Sequence, residues 1–340
     1  MRSVLLLGSI ALCLVLGSGV AAAQSQRDKD WKTCESDEDK AALDACTRLI
    51  NAGKHSKKDW AVVYYNRGLS YRRLGRDDDA IADYTKAIEN DPKDADIYNN
   101  RGVAYEYKGE LDRALADYDR AVALNPKLAT AYSNRGDVHR KREDFEKALI
   151  EYEKAVALDP KVAAYLADLA AVQASLGRYD RASQSASRAI ALDAKNGHAH
   201  FVRGFISYVS GDFGKASSDM RRAFDNEGTA PAAIYRFLAR ARVGENAASE
   251  LEADAGRLKS RDWPYAVIEA LLGTRPLDAM QAAATNDVET CEANYFTAQW
   301  HFLRNERDSG MAALRKAADG CPQSEYELHG ARHELKRLGG

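Results

Sequence analysis

Small and large apolar residues recur along the chain with a period of 34 residues. Units that start at residues 61, 95, 129, 163 and 197 each have a small residue at position 8 and alanine at positions 20 and 27. Tyrosine accompanies them at position 11 of the first two units and at position 24 of the first three. Small residues let two helices approach closely and bulky residues fill the space beside them, so each unit predicts a helical hairpin.

Turn and helix-end signals fall at fixed places in these units. Glycine marks the predicted turn in four of them, at Gly75, Gly109, Gly177 and Gly211. Proline, which cannot continue a helix, closes the first three units at Pro92, Pro126 and Pro160. The chain therefore predicts a row of consecutive hairpins.

The period and the small-residue pattern over residues 61–230 resemble the tetratricopeptide repeat family. The resemblance implies an all-α fold, an α-solenoid in which antiparallel helix pairs form a right-handed superhelix. It also implies that the first helices line a concave groove that binds ligands. The fourth unit departs from the pattern with Ala186 at position 24, and the fifth lacks the closing proline.

By sequence the chain divides into five parts: a signal peptide (1–23), a partial repeat (24–60), five repeats (61–230), a divergent helical segment (231–290) and a terminal hairpin with a capping helix (291–340). Four helices are predicted in the divergent segment, near residues 232–242, 247–258, 265–272 and 277–284. The last helix, Glu325–Leu338, is expected to cap the array with Arg332, Lys336 and Arg337 on its outer face.

The C-terminal part has a second resemblance. The order "DWPYAVIEALLGT", "CEANYFTAQWHFLRNERDSGMAALRKA" and "YELHGARHEL" is similar to bacterial envelope tetratricopeptide lipoproteins that act as adaptors for a tail-specific protease and for peptidoglycan hydrolases. This resemblance implies a role in envelope protein turnover or peptidoglycan maintenance. Lipid attachment would need a small residue before Cys13, and Leu12 stands there.

The N-terminus reads as a secretory signal. Arg2 precedes the apolar run Val4–Leu16, and Ala21 to Ala23 provide a small-residue cleavage site. We therefore expect an exported protein, periplasmic or secreted, without a stable membrane insertion.

Removal of the signal takes Cys13 with it and leaves an even number of cysteines, which favours two disulfides in an oxidising compartment. Repeat alignment places Cys34 across a hairpin from Cys46. It places Cys291 and Cys321 at positions 1 and 31, which lie at the same end of a hairpin. Both pairs are predicted disulfides.

Arginine at position 7 occurs together with an acid at position 23. The pairs are Arg67 with Asp83, Arg101 with Asp117, Arg135 with Glu151, and Arg203 with Asp219. The fourth repeat has Leu169 and Ser185 at these positions and so lacks both charges. This joint presence and absence predicts a structural ion pair inside each hairpin.

Position 6 carries the strongest signal for function. Asn66, Asn100 and Asn134 share a helical face with positions 2, 9 and 13, the face that lines the groove in this family, and Asp168 extends the row. A carboxamide both donates and accepts, so such a ladder can hold an extended peptide. The alternative is that these asparagines simply face water.

Other residues of the same face complete the predicted groove: Tyr65, Asn99, Tyr107, Phe201 and Phe205. The change from polar to aromatic lining suggests a peptide with one hydrophobic anchor. Alternatively, the aromatic patch is buried by the chain that follows Pro231.

Charge and motifs exclude other classes. Lys plus Arg (49) nearly balances Asp plus Glu (51), so nucleic acid is not an expected partner. No phosphate loop or nucleophile motif is present, which predicts no enzyme and no cofactor. His329 and His333, four residues apart, are too weak a pattern to predict a metal site.

The sequence thus predicts an exported scaffold or adaptor that binds proteins or extended peptides, with an envelope protease or a peptidoglycan hydrolase as a candidate partner. The alternative is a structural protein that self-assembles into a homo-oligomer without a peptide ligand.

Overall fold

The computed structural model describes residues 24–322 and 326–339, and every regular element in this part of the chain is helical. The all-α prediction is confirmed. The helices are α1 (24–34), α2 (Asp39–Ala52), α3 (Lys57–Arg73), α4 (Asp77–Asn90), α5 (Ala95–Tyr107), α6 (Leu111–Leu124), α7 (Ala129–Lys141), α8 (Phe145–Leu158), α9 (Ala163–Ser175), α10 (Tyr179–Leu192), α11 (Gly197–Val209), α12 (Phe213–Glu227), α13 (Ala230–Arg242), α14 (Ala248–Arg257), α15 (Tyr265–Leu271), α16 (Leu277–Gln281), α17 (Asp287–Leu303), α18 (Arg307–Gly320) and α19 (Tyr326–Leu338).

The predicted signal peptide lies outside the described residues. Among the helices that are described, none is both long enough and apolar enough to cross a membrane. By its internal contacts the chain forms two compact units. We call the part ending at Val138 the first unit and the part from His139 to Gly340 the second unit, and we call the 34-residue segments repeats. This boundary falls within α7, in the third repeat, whereas the segments read from the sequence follow the repeat period.

In each of the first two repeats, a tyrosine covers a glycine of the partner helix and closes the hairpin. A Cβ atom on Gly68 would lie 2.7 Å from Cε1 of Tyr84, and one on Gly102 would lie 2.7 Å from Cε1 of Tyr118. Both tyrosines are fully buried. Position 8 is therefore small because the ring at position 24 occupies the space where a side chain would begin.

We predict that Gly102→Ala destabilises the protein although alanine is the better helix former. Overpacking costs about 1–3 kcal/mol, and the gain in helix propensity offsets only about 1 kcal/mol of it. Gly214 in α12 is the matched control, since a Cβ there meets nothing within 4 Å. Urea unfolding should show lower stability for Gly102→Ala and equal or higher stability for Gly214→Ala; the same sign for both would contradict the packing argument.

The turns of the hairpins require a left-handed residue at position 15. Gly75, Gly109, Gly177 and Gly211 adopt φ values of 71°, 74°, 68° and 87°. The third repeat has Glu143 at this position, with φ 60°. A side chain in this region costs about 1 kcal/mol or more, so the third turn is strained where the others are not.

Glu143→Gly should therefore stabilise the protein by up to about 1 kcal/mol, because glycine adopts this conformation without a steric penalty. The exposed glutamate side chain leaves little packing to lose. The midpoint of thermal unfolding should rise for Glu143→Gly and fall for Gly109→Ala, the reverse substitution at an equivalent turn. A lower midpoint for Glu143→Gly would show that the strain is absent.

The two flanks carry the predicted disulfides and helices. Cys34 is bonded to Cys46 and Cys291 to Cys321, each pair with Cα atoms 4.9 Å apart. Helices α13 to α16 lie within a few residues of the four that the sequence predicts for the divergent segment. Both flanks are thus helical and covalently closed.

The last helix corrects one expectation. Helix α19 does not only cap the array; it also packs against α9, α11 and α17. Arg332 and Lys336 are exposed as expected, but the Arg337 guanidinium donates from Nε to the backbone oxygen of Val209 at 3.1 Å. Helix α19 is amphipathic, and packing between other helices of the second unit buries more of its apolar face than a position at the end of the array would.

Candidate peptide-binding groove

The candidate groove in the first unit is formed by one face of α3, α5 and the start of α7. On α5 this face carries Asp96, Asn100, Val103 and Tyr107 at positions 2, 6, 9 and 13. Asp96 is exposed, Asn100 and Val103 are half-buried, and Tyr107 is 73% exposed. In the first unit the face predicted to line a groove is thus partly open to solvent.

The asparagines of this face are bonded from one repeat to the next. Asn100 donates from Nδ2 to the hydroxyl of Tyr65 at 3.0 Å and to the backbone oxygen of Asp96 at 2.9 Å. Asn134 donates from Nδ2 to Oδ1 of Asn99 at 3.0 Å. Asn66 lies half-buried at the corresponding place on α3. The Asn100–Tyr65 and Asn134–Asn99 bonds each join position 6 of one repeat to position 5 of the repeat before it.

These bonds change what the ladder offers to a ligand. Both amide hydrogens of Asn100 are used inside the protein, so this residue presents only its carbonyl oxygen, not the donor and acceptor together that the sequence suggested. The donor comes instead from position 5. Tyr65 is half-buried and accepts the bond from Asn100, which leaves its own O–H as a donor; Asn99 accepts from Asn134 and keeps its amide as a donor, although this residue is only 7% exposed.

The tyrosine keeps its proton over the whole physiological range. Burial, with Asp96 and Asp94 nearby, raises the pKa of Tyr65 to about 12. Because the neutral hydroxyl is the form that donates, the donor on this face does not titrate near neutral pH. Each of the two bonded pairs, Tyr65 with Asn100 and Asn99 with Asn134, therefore combines one donor and one acceptor.

Position 7 holds the ion pairs that the sequence predicts. Arg67 binds Asp83 through two N–O contacts of 2.6 and 2.9 Å. The contacts of Arg101 with Asp117 are 2.7 and 2.8 Å, and those of Arg203 with Asp219 are both 2.7 Å. Arg135 and Glu151 lie in different units, and their pairing stays a prediction.

The same arginines make a further bond that sequence reasoning missed. The Nη1 group reaches back to position 25 of the preceding repeat: Thr47 at 3.3 Å, Thr85 at 3.1 Å, Asp119 at 2.7 Å and Ser187 at 3.2 Å. The sequence did contain a signal for this bond, because position 25 of the preceding repeat carries a hydroxyl or a carboxylate in every case where position 7 is arginine. Position 7 thus ties its own hairpin together and also ties it to its neighbour.

Arg101→Ala should cost about 2–4 kcal/mol of unfolding free energy, because it leaves the carboxylate of Asp117 buried without its partner. The side chains of this pair are 17% and 8% exposed. Arg113 with Glu110, at 65% and 29%, is the control, and its loss should change stability by less than about 1 kcal/mol. Equal losses in urea unfolding would contradict a structural role for position 7.

The structure corrects the aromatic end of the predicted groove. Phe205 is fully buried, with its ring centroid 5.4 Å from those of Tyr235 and Tyr326. Phe201 is half-buried, 6.2 Å from the same two rings. Helices α13 and α19 cover both side chains, so neither lines an open groove. Asp168 lies half-buried on α9, also in the second unit.

The histidine pair on α19 serves packing. His333 stacks edge-on against Tyr179 with ring centroids 5.0 Å apart, and burial lowers its pKa. His329 lies near Gly177 in the turn after α9. In the portion of the chain that the structure describes, no group of three or more His, Cys, Asp or Glu is placed to hold a metal ion.

The repeats match known families and folds. Profiles described as TPR repeat and tetratricopeptide repeat match residues 68–109, 95–128 and 127–195. A tetratricopeptide repeat protein from Parabacteroides merdae is similar in structure, with 21% identity, a TM-score of 0.56 and coverage of 74% of this chain and 97% of that one. The pilF protein of Pseudomonas aeruginosa has 18% identity, a TM-score of 0.53 and coverage of 67% and 98%.

Residues 68–195 of this chain are therefore tetratricopeptide repeats. At these identities the two structures show the fold alone. No curated protein sequence matches the chain at a significant level. The likeness of the C-terminal part to envelope adaptors stays a prediction.

Proposed function

We propose that this protein is an exported scaffold or adaptor that holds extended polypeptide in the candidate groove of its first unit. We call this surface, formed by positions 2, 6, 9 and 13 of the first helices of the repeats, the inner face. The observation that carries the proposal is the bonding of position 6 to position 5. Asn100 to Tyr65 and Asn134 to Asn99 each leave one acceptor and one donor unused on the same face.

A peptide unit needs that combination. It has one N–H and one C=O, and in an extended chain these groups are not bonded to one another. The carbonyl oxygens of Asn100 and Asn134 can accept from peptide N–H groups, and Tyr65 and Asn99 can donate to peptide carbonyls. Recognition through the backbone tolerates many sequences, which suits a scaffold that handles varied clients.

Tyr107 supports the same use of the face. It lies seven residues after Asn100, two turns along α5, and its ring is 73% exposed. Exposed tyrosine is a common contact residue at binding surfaces because its rigid ring buries large area at low entropic cost. It would supply the apolar contact that Phe201 and Phe205, which are covered by α13 and α19, do not.

A signal pattern and two disulfides support a place of action outside the cytoplasm. The N-terminal signal pattern and the pairs Cys34–Cys46 and Cys291–Cys321 suit an oxidising compartment outside the cytoplasm. An envelope protease or peptidoglycan hydrolase would then be the enzyme to which clients are presented.

The test measures binding of permanently unfolded lactalbumin, reduced and carboxymethylated, to the full mature chain. The Asn66→Ala/Asn100→Ala/Asn134→Ala variant should bind at least tenfold more weakly by fluorescence anisotropy, since about 1.4 kcal/mol, one or two hydrogen bonds, is worth that factor. Tyr65→Phe, which removes only a hydroxyl, should weaken binding in the same direction.

The control is Asn90→Ala/Asn226→Ala, whose side chains bond to the backbone of their own helices, α4 and α12. It should bind as the parent does. Circular dichroism should show all variants folded. Undiminished binding by the triple variant and by Tyr65→Phe would overturn the ladder as the binding site.

A further inference from the structure

Helix α19 lies where a ligand of the second unit would lie. On α11 the face equivalent to the groove carries Val202, Phe205 and Val209 at positions 6, 9 and 13, and all three are fully buried. A Cβ on Gly330 of α19 would lie 2.9 Å from Cζ of Phe205 and 3.3 Å from Cγ1 of Val209. Helix α19 thus packs so closely against this face that only glycine fits at position 330.

The surface that contacts α19 binds two buried carboxylates of this helix, which makes it selective for helices that carry acids at these positions. Glu327 and Glu334 are seven residues apart and so lie on one face of α19, and they are 6% and 0% exposed. The Tyr235 hydroxyl donates to Glu327 at 2.9 Å. Glu334 accepts from the Tyr295 hydroxyl at 2.9 Å and from Nε2 of Gln299 at 2.7 Å.

The donors belong to the receiving surface, and one of them, Gln299, is also bonded to residues outside α19. Gln299 accepts at Oε1 from the Tyr208 hydroxyl at 2.7 Å and from Nη2 of Arg242 at 2.6 Å. These residues come from α11, α13 and α17. Burying a carboxylate without donors is costly, so this surface favours a helix that places acids opposite them and rejects one that does not.

The packing around the acids adds two steric requirements. Leu328 and Ala331 are buried against the second unit, and Gly330 has no room for a side chain. The sequence read by the surface is therefore Glu-Leu-x-Gly-Ala-x-x-Glu, residues 327–334. Helix α19 follows the α17–α18 hairpin, which is closed by its own disulfide, Cys291–Cys321, and it packs against α18 as well as α9, α11 and α17.

We propose that the inner face of the second unit is a helix-binding site, that its ligand class is an amphipathic helix with glutamates seven residues apart around a Gly-Ala step, and that α19 occupies it as an internal ligand. The site is separate from the peptide ladder of the first unit. A helix of the same pattern in another protein would bind there by displacing α19.

The experiment uses the full mature chain with Gly330→Leu, whose side chain would strike Phe205 and Val209. The probe is a fluorescein-labelled peptide of residues 326–338. Hydrogen–deuterium exchange of α19 should accelerate at least tenfold while α8 to α12 stay protected within twofold. The labelled peptide should bind this variant at least tenfold more tightly than the parent, where α19 competes at high effective concentration.

Two controls define recognition. A peptide with both glutamates changed to lysine should not bind the variant, and Gly214→Leu, placed in open space on α12, should behave as the parent. Loss of protection throughout α8 to α18 in Gly330→Leu would overturn the proposal, because α19 would then be part of the core. Failure of the parent peptide to bind a variant whose α19 exchanges fast would overturn it too.

Discussion

The contact between the tyrosine ring at position 24 and the glycine at position 8 sets how closely the two helices pack in the first two repeats, where the candidate binding face lies. With a Cβ excluded at Gly68 and Gly102, the two helices of a hairpin approach until the ring fills the gap between them. Position 7 then lies opposite position 23. Arg67 makes two hydrogen bonds to Asp83 there, and Arg101 makes two to Asp117. The third donor of each arginine then fixes the neighbouring repeat. In this arrangement position 6 of one repeat bonds to position 5 of the repeat before it, as Asn100 does to Tyr65.

The two units use the same face of the repeat in opposite ways. On α5, positions 6, 9 and 13 are Asn100, Val103 and Tyr107, and the face remains open. On α11 the same positions are apolar and buried, because α13 and α19 cover them. Polar side chains on an open face can exchange water for a peptide at little cost, whereas an apolar face lowers its free energy by being covered. The difference in side-chain character thus accounts for the difference in occupancy.

Sequence reasoning succeeded where the signal was periodic or local. The hairpins, the cysteine pairs and the Arg–Asp pairs follow from residues whose spacing repeats every 34 positions or falls within one hairpin. It failed for α19, because some of its contacts join residues far apart in the sequence and leave no periodic trace: Tyr235 and Glu327 are 92 residues apart, and Val209 and Arg337 are 128 apart. The same gap made Phe201 and Phe205 look like groove residues, since their burial depends on helices outside the repeats. The division of donor and acceptor between Tyr65 and Asn100 was also beyond reach, because the pattern places residues on a face without fixing how an amide turns.

The most direct test of the account is site-specific photo-crosslinking to permanently unfolded lactalbumin. Benzoylphenylalanine would replace Tyr107 on the inner face of the first unit in one sample and Ile150 on α8 in another. The two residues are similarly exposed, at 73% and 64%. An open inner face that holds extended polypeptide predicts crosslinks from position 107 and few or none from position 150. Equal crosslinking from both positions, or crosslinking from 150 alone, would contradict the assignment of the first unit's inner face as the binding surface.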